Sequence, residues 1–164
     1  MRCTGIALGS NLGDRLENLR RAKELLSSIS TGPVLAAPVY LTEPVNCPPG
    51  SPDFLNTVIE IFHEGTPAEL LEKTQEFQRH LGRTEPAERN APRVIDIDLL
   101  YYGGEIVSTD DLELPHPRIT LRQFVLRPLA DIRPDLVLPG QTLTIAEHLE
   151  RLEEPALPVV AREW

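Results

Sequence analysis

Residues 2–8 alternate loosely between apolar and polar side chains, which predicts a strand, and Gly9-Ser10-Asn11-Leu12-Gly13 behind it predicts a turn. Asp14 then stands at a helix N-cap with Glu17 three residues on, the spacing of a capping box. Leu16, Leu19, Leu25, Leu26 and Ile29 follow at helical spacing. Residues 34–41 predict a second strand, 42–53 a loop rich in Pro and Gly, and 54–62 a third strand carrying Leu55, Val58, Ile59 and Ile61. Thr66 caps a second helix with Pro67 at its first position. Leu70, Leu71, Thr74, Phe77 and Leu81 give that helix its stripe, and Gly82 ends it. A polar loop, 83–92, leads into the strongest strand, 94–102, which Gly103-Gly104 turns back into Ile106-Val107. The remainder holds a Pro/His loop at 115–118, a short helix near 121–129 and a last helix from Thr144 to about Leu152.

The order β-α-β-β-α-β predicts an α+β fold, a ferredoxin-like sandwich whose antiparallel sheet carries both helices on one face. The other face is then free for a ligand, and a helical extension follows at the C-terminus. A length of 164 residues suits a single domain spanning 1–164. Hydrophobic residues at 41% and charged residues at 25% mark a globular chain rather than a disordered one. The net charge of −9 disfavours nucleic acid and anionic membrane as partners. No apolar run approaches the ~20 residues that cross a bilayer, and the N-terminal apolar stretch is too short for a signal peptide. The expectation is a cytoplasmic monomer with small-molecule substrates. Cys3 and Cys47 form neither a disulfide framework nor a zinc motif. All basic residues except Lys23 and Lys73 are Arg, the better bidentate binder of phosphate, although genomic base composition produces the same bias.

Strand side chains alternate faces, so in Arg93-Val94-Ile95-Asp96-Ile97-Asp98-Leu99 the two carboxylates share one face while Ile95, Ile97 and Leu99 take the other. The apolar set belongs under the helices. Asp96 and Asp98 then stand side by side on the open face, Cα atoms roughly 6.5–7 Å apart. They repel unless a divalent cation lies between them. Mg²⁺ suits such a pair, because it takes one or two carboxylates and completes its shell with phosphate oxygens. Arg83, Arg89 and Arg93 just upstream add the guanidiniums of a polyphosphate site; a surface Arg–Asp network is the plainer alternative. His116 between Pro115 and Pro117 is held out of helical conformation, a pattern a surface turn also gives. Phe54 and Asn56 share a strand face beside the proline-stiffened loop, an aromatic wall with an amide for a flat heterocycle. Locally the same pair also fits a core Phe and a turn-capping Asn. Neither a Walker A sequence nor a GxGxxG is present, and Asn11 reads as a residue that hydrogen-bonds the backbone of its own turn.

Taken in order, Ala7 to Gly13, Pro52 to Asn56, Gly82-Arg83, Arg89 to Asp98, Pro115-His116-Pro117 and Phe124 to Leu129 closely resemble the 6-hydroxymethyl-7,8-dihydropterin pyrophosphokinase family, over nearly the whole chain. The resemblance implies a ferredoxin-like fold and an ATP-dependent diphosphokinase of folate biosynthesis, in which the pterin's hydroxymethyl oxygen attacks the β-phosphorus of ATP and AMP leaves. It implies two Mg²⁺ ions bridged by Asp96 and Asp98, with Arg83 and Arg93 stabilising charge on the transferring group. The pterin would lie between Phe54 and Phe124, its edge read by Asn56 and by the chain at Thr42, Pro44 and Val45. ATP would be contacted at Gln75, Arg83, Arg89, Arg93, Leu99, His116 and Arg122. The loops at 43–52 and 83–92 would be the family's mobile lids, with Gly82 as a hinge. This chain departs from common family choices at Glu85, Asn90, Asp111 and Glu113, all in regions tied to adenosine binding and loop closure. A different Mg²⁺-dependent nucleotide transferase, or a non-catalytic nucleotide-sensing domain of the same fold, would need the metal pair but not Phe54, Asn56 and Phe124.

Overall fold

The computed structural model describes residues 1–44, 47–82 and 93–164; Val45, Arg83, Glu85, Arg89 and Asn90 therefore lie outside the described residues. Among the described residues the strands and helices are β1 (Arg2–Ser10), α1 (Arg15–Ile29), β2 (Leu35–Ala36), β3 (Val39–Thr42), β4 (Phe54–His63), α2 (Pro67–His80), β5 (Asp96–Tyr102), β6 (Val107–Ser108), β7 (Glu113–Leu114), α3 (Gln123–Ile132), α4 (Ile145–Leu152) and β8 (Val159–Ala161). The main sheet runs β5-β1-β4-β3-β8 with β2 also on β4, and every pairing is antiparallel. Strands β5-β1-β4-β3 with α1 and α2 are the expected ferredoxin-like sandwich.

The helices begin where the caps say they should. The Asp14 carboxylate accepts the Glu17 amide at 3.2 Å, and the Thr66 hydroxyl accepts that of Glu69 at 3.1 Å. Gly82, at φ 98°, donates to the Arg79 carbonyl at 3.1 Å and closes α2 in a left-handed conformation that suits glycine. Leu19 and Leu26 of α1 and Leu70 and Phe77 of α2 pack on Ile6, Leu8, Ile59, Ile61, Ile97 and Leu99.

Three expectations change. The strand over 34–41 divides at Ala37-Pro38, because Pro38 has no amide to continue the ladder. Residues 106–107 do not fold back along β5: Val107–Ser108 pairs with Glu113–Leu114 in a separate ribbon, and Gly103 donates instead to the Cys3 carbonyl on β1 at 2.8 Å. The second sheet face is only half free. Val58, Leu100 and Tyr101 on that face are covered by Val125, Leu126 and Leu129 of α3 and Ile145 of α4. The chain then returns to the sheet as β8, and the Trp164 indole N–H donates to the Ala37 carbonyl at 2.8 Å.

Candidate active site

The uncovered end of that second face is a cleft of about 1310 Å³. Its floor is β1, β4 and β5; its sides are the 115–118 loop with the start of α3, and residues 154–158. The register explains the floor: Gly9 stands opposite both Asn56 and Asp96, and Ala7 opposite Val58 and Asp98. A Cβ on Gly9 would lie 2.6 Å from the Asn56 Oδ1, so only glycine lets the Asn56 amide lie across β1. Asn56 donates through Nδ2 to the buried Thr42 hydroxyl at 2.7 Å, which sets the amide's rotation.

Alternation along β5 places Asp96 and Asp98 in the cleft while Ile97 and Leu99 are buried beneath the α1/α2 layer. Arg93 Nη1 reaches Asp96 Oδ1 at 2.9 Å. The Ile97 amide points outward from this edge strand and donates to Gln78 Oε1 at 2.7 Å, so Gln78 of α2 fixes the strand segment between the carboxylates. From the facing wall, His116 hangs on β5 through its amide, which donates to the Leu100 carbonyl at 2.7 Å. Its Nδ1 accepts the Arg118 amide at 3.1 Å, leaving Nε2 as the free ring position. Burial first, then the Arg122 and Arg118 guanidiniums, pull His116 below its ordinary value of 6.5. Burial and Arg118 likewise pull Arg122 down, against the attraction of Asp98. The Arg122 guanidinium lies 5.4 Å from the Phe124 ring centre, within cation–π range. Crowded guanidiniums facing two carboxylates suit an anion that brings its own cation.

The cleft thus brings together Thr42, Phe54, Asn56, Arg93, Asp96, Asp98, His116, Arg122 and Phe124. Pro44 does not line it, Gln75 is exposed on α2, and the Leu99 side chain is in the core. A smaller cavity of about 250 Å³ lies around the corner at the outer edge of β5, where Leu99 sits with Leu71, Asp111, Leu112 and Glu113. Asp98 and His116 line both cavities. Sequence reasoning missed Gly9, Gln78, Arg118, Gln123 and the 154–158 wall. The Gly9 and Gln78 roles arise from cross-element contacts with no local signal. The wall was findable, since Val159-Val160 is a β-branched pair that favours a strand next to it.

The model for 7,8-dihydro-6-hydroxymethylpterin-pyrophosphokinase matches residues 5–134. The 2-amino-4-hydroxy-6-hydroxymethyldihydropteridine pyrophosphokinase of Bacillus subtilis is 44% identical over 77% of this chain and 75% of its own length. The Haemophilus influenzae protein of that name is 37% identical over 84% and 86%. The folic acid synthesis protein fol1 of Pneumocystis carinii is 36% identical over 93% of this chain, which spans only 21% of that protein. Among solved structures, Plasmodium falciparum HPPK-DHPS superposes over 92% of this chain and 44% of its own at a TM-score of 0.71 with 12% identity, a likeness of fold.

Proposed function

This chain belongs to the 7,8-dihydro-6-hydroxymethylpterin-pyrophosphokinase family, and on that premise we propose that it transfers pyrophosphate from ATP to the hydroxymethyl group of 6-hydroxymethyl-7,8-dihydropterin, releasing AMP in folate synthesis. The observation that supports it best is the single cleft in which Phe54, Asn56 and Phe124 stand beside Asp96, Asp98 and Arg93. The hydroxymethyl oxygen gains a bond to the β-phosphorus, and the bond from that phosphorus to the α–β bridging oxygen breaks. AMP leaves with that oxygen, and the hydroxyl proton passes to water in the cleft.

Asp96 and Asp98 fit Mg²⁺: they are adjacent hard-oxygen donors with their open side toward the cleft, and phosphate oxygens would complete the shell. Two ions belong to the proposal; bound there they neutralise phosphate charge and acidify the hydroxyl. Arg93 stabilises charge on the transferring group while held by Asp96. Phe54 and Phe124 stack the pterin, and Asn56 reads its edge. His116 Nε2 and Arg122 contact the phosphates. The adenosine takes the smaller cavity, where the outward backbone of β5 at Leu99 reaches it; for Gln75, exposed on α2, the support is the family resemblance. The same reading gives Thr42, Pro44 and Val45 to the pterin and Arg83 and Arg89 to ATP; for all of these but Thr42, which lines the cleft, its support is the family resemblance. It takes residues 1–164 as one domain, since β8 completes the sheet that β1 begins. It takes a monomer acting on small-molecule substrates, and the cytoplasm, where ATP is at hand. Incubation with ATP, Mg²⁺ and the pterin should yield AMP and a pyrophosphorylated pterin in equal amounts. ADP with a monophosphorylated pterin, or no pterin product, overturns the proposal.

A further inference from the structure

Asn11, in the turn between β1 and α1, is 1% exposed and uses both ends of its amide on other segments. Its Oδ1 accepts the Arg93 backbone N–H at 2.7 Å, and its own N–H returns a bond to the Arg93 carbonyl at 3.1 Å. Its Nδ2 donates to the Pro52 carbonyl at 3.3 Å. Two residues beyond Pro52 the chain reaches Phe54; three beyond Arg93 it reaches Asp96, which the Arg93 guanidinium holds. The turn is itself braced, since Asn18 Nδ2 donates to the Leu12 carbonyl at 2.9 Å and Arg15 Nη1 to the Asp53 carbonyl at 2.9 Å. A buried amide with its acceptor and a donor both engaged has one rotamer available, so it registers its partners against β1.

We propose that Asn11 is a positioning residue for the transfer: through the Arg93 backbone it sets the guanidinium against Asp96, and through Pro52 it ties the aromatic side of the cleft to the same turn. This rests on the function proposed above. A displaced guanidinium no longer meets the transferring group, and an error of about 1 Å costs up to about 10²-fold in turnover.

The test is a cycle of Asn11→Ala, Arg93→Ala and the double variant, reading kcat, KM for both substrates and Tm. Asn11→Ala should lower kcat at least about tenfold in the parent, and by no more than about twofold, the scatter of additivity, in the Arg93→Ala background, because the two residues act as one coupled unit. The Tm loss should be the same in both backgrounds. Asn11→Asp keeps an acceptor for the Arg93 amide but has no donor for Pro52. It should retain most of kcat while KM for the pterin rises, and it carries the test if Asn11→Ala does not fold. An equal kcat loss in both backgrounds, or a lower Tm with kcat intact, overturns the proposal. If the parent itself releases no AMP, the proposed reaction falls and Asn11 is judged by hydrogen exchange at the Arg93 amide. That amide should be protected in the parent and exchange fast in Asn11→Ala; equal protection overturns the proposal.

Discussion

One sheet face carries two clusters of carboxylates and small residues, and they have opposite fates. At the far end from the cleft, Glu60 of β4 is 2% exposed and fully partnered. Arg133, just past α3, donates to its carboxylate through Nε at 2.9 and 3.0 Å, and the Tyr101 hydroxyl donates to it at 2.5 Å. Gly5 admits the Tyr101 ring, whose Cε1 would lie 2.3 Å from a Cβ there. At the cleft end Gly9 admits Asn56 in the same manner, but Asp98 is exposed and Asp96 has its guanidinium from only three residues away. The closed end holds its carboxylate away from water. The open end keeps its two carboxylates on the cleft wall, where ions and phosphates that arrive together can reach them. Burial alone would push Glu60 up, yet the hydrogen bonds from Arg133, Cys3 and Tyr101 hold it below the usual carboxylate value, while Cys3, half-buried beside that carboxylate, is pushed up to about 12. Neither group is reactive near neutral pH.

The comparison breaks most sharply at Asp98. Asp98→Asn removes a like charge beside Asp96 and keeps the shape, so the unliganded protein should melt within about 1 kcal/mol of the parent. AMP release should fall by orders of magnitude, because the metal-borne charge neutralisation it supports is worth several kcal/mol in the transition state. Mg²⁺ with a non-hydrolysable ATP analogue should raise the variant's Tm much less than the parent's. A large drop in the unliganded Tm would make the open end structural, like the closed one.

Arg133→Met inverts the pattern. It leaves Glu60 buried without its cation, which for a fully buried pair costs roughly 3–5 kcal/mol. Arg133 is 42% exposed on its side chain, so screening lowers the figure to about 2 kcal/mol, a Tm loss of about 4–8 °C for a chain of this size. KM for both substrates should stay unchanged; a shift in either would mean the two ends are coupled.

The glycines sharpen the same contrast at smaller scale. Gly5→Ala meets a buried ring and should lower stability by about 1–2 kcal/mol without affecting KM. Gly9→Ala meets an amide at the cleft surface that can turn aside. Its stability cost should stay under about 1 kcal/mol, while KM for the pterin rises about fivefold to tenfold and KM for ATP holds. Equal effects of the two substitutions on both readouts would erase the distinction.

The open end was far more legible in sequence than the closed one, and for a physical reason. The Asp96/Asp98 pair and the Phe54/Asn56 pair lie within single strands, where side-chain period alone assigns the face. The caps at Asp14 and Thr66 are equally local. Glu60 looked like one polar position in an apolar strand, because its partner Arg133 is 73 residues away. Gly5 and Gly9 gave no local sign that ring and amide would cross β1 at those points. Pro38 was a readable sign that the strand over 34–41 breaks. The covering of half the sheet by α3 and α4 was not readable, since an amphipathic helix does not name the surface it will bury.

The smallest expected effect concerns His116, which faces the open end. Its folded-state value lies below 6.5 because burial and two guanidiniums disfavour its charged form. Between that value and 6.5 the unfolded chain binds a proton that the folded one does not. Stability is therefore fully present above pH 6.5 and declines as the pH falls below it. His63, also held below 6.5 by burial, contributes with the same sign, so thermal melts against pH need His116→Asn and His63→Asn separately. Each should flatten part of the slope, and the pair should remove it down to the carboxylate range. Nucleotide should act on His116 alone. Phosphates beside the ring favour the imidazolium and lift its value back up, so ATP binding below about pH 7 should take up a proton. Calorimetry of a non-hydrolysable ATP analogue in buffers of different ionisation heat measures that proton directly. Proton uptake that survives His116→Asn would place the phosphates away from this wall of the cleft.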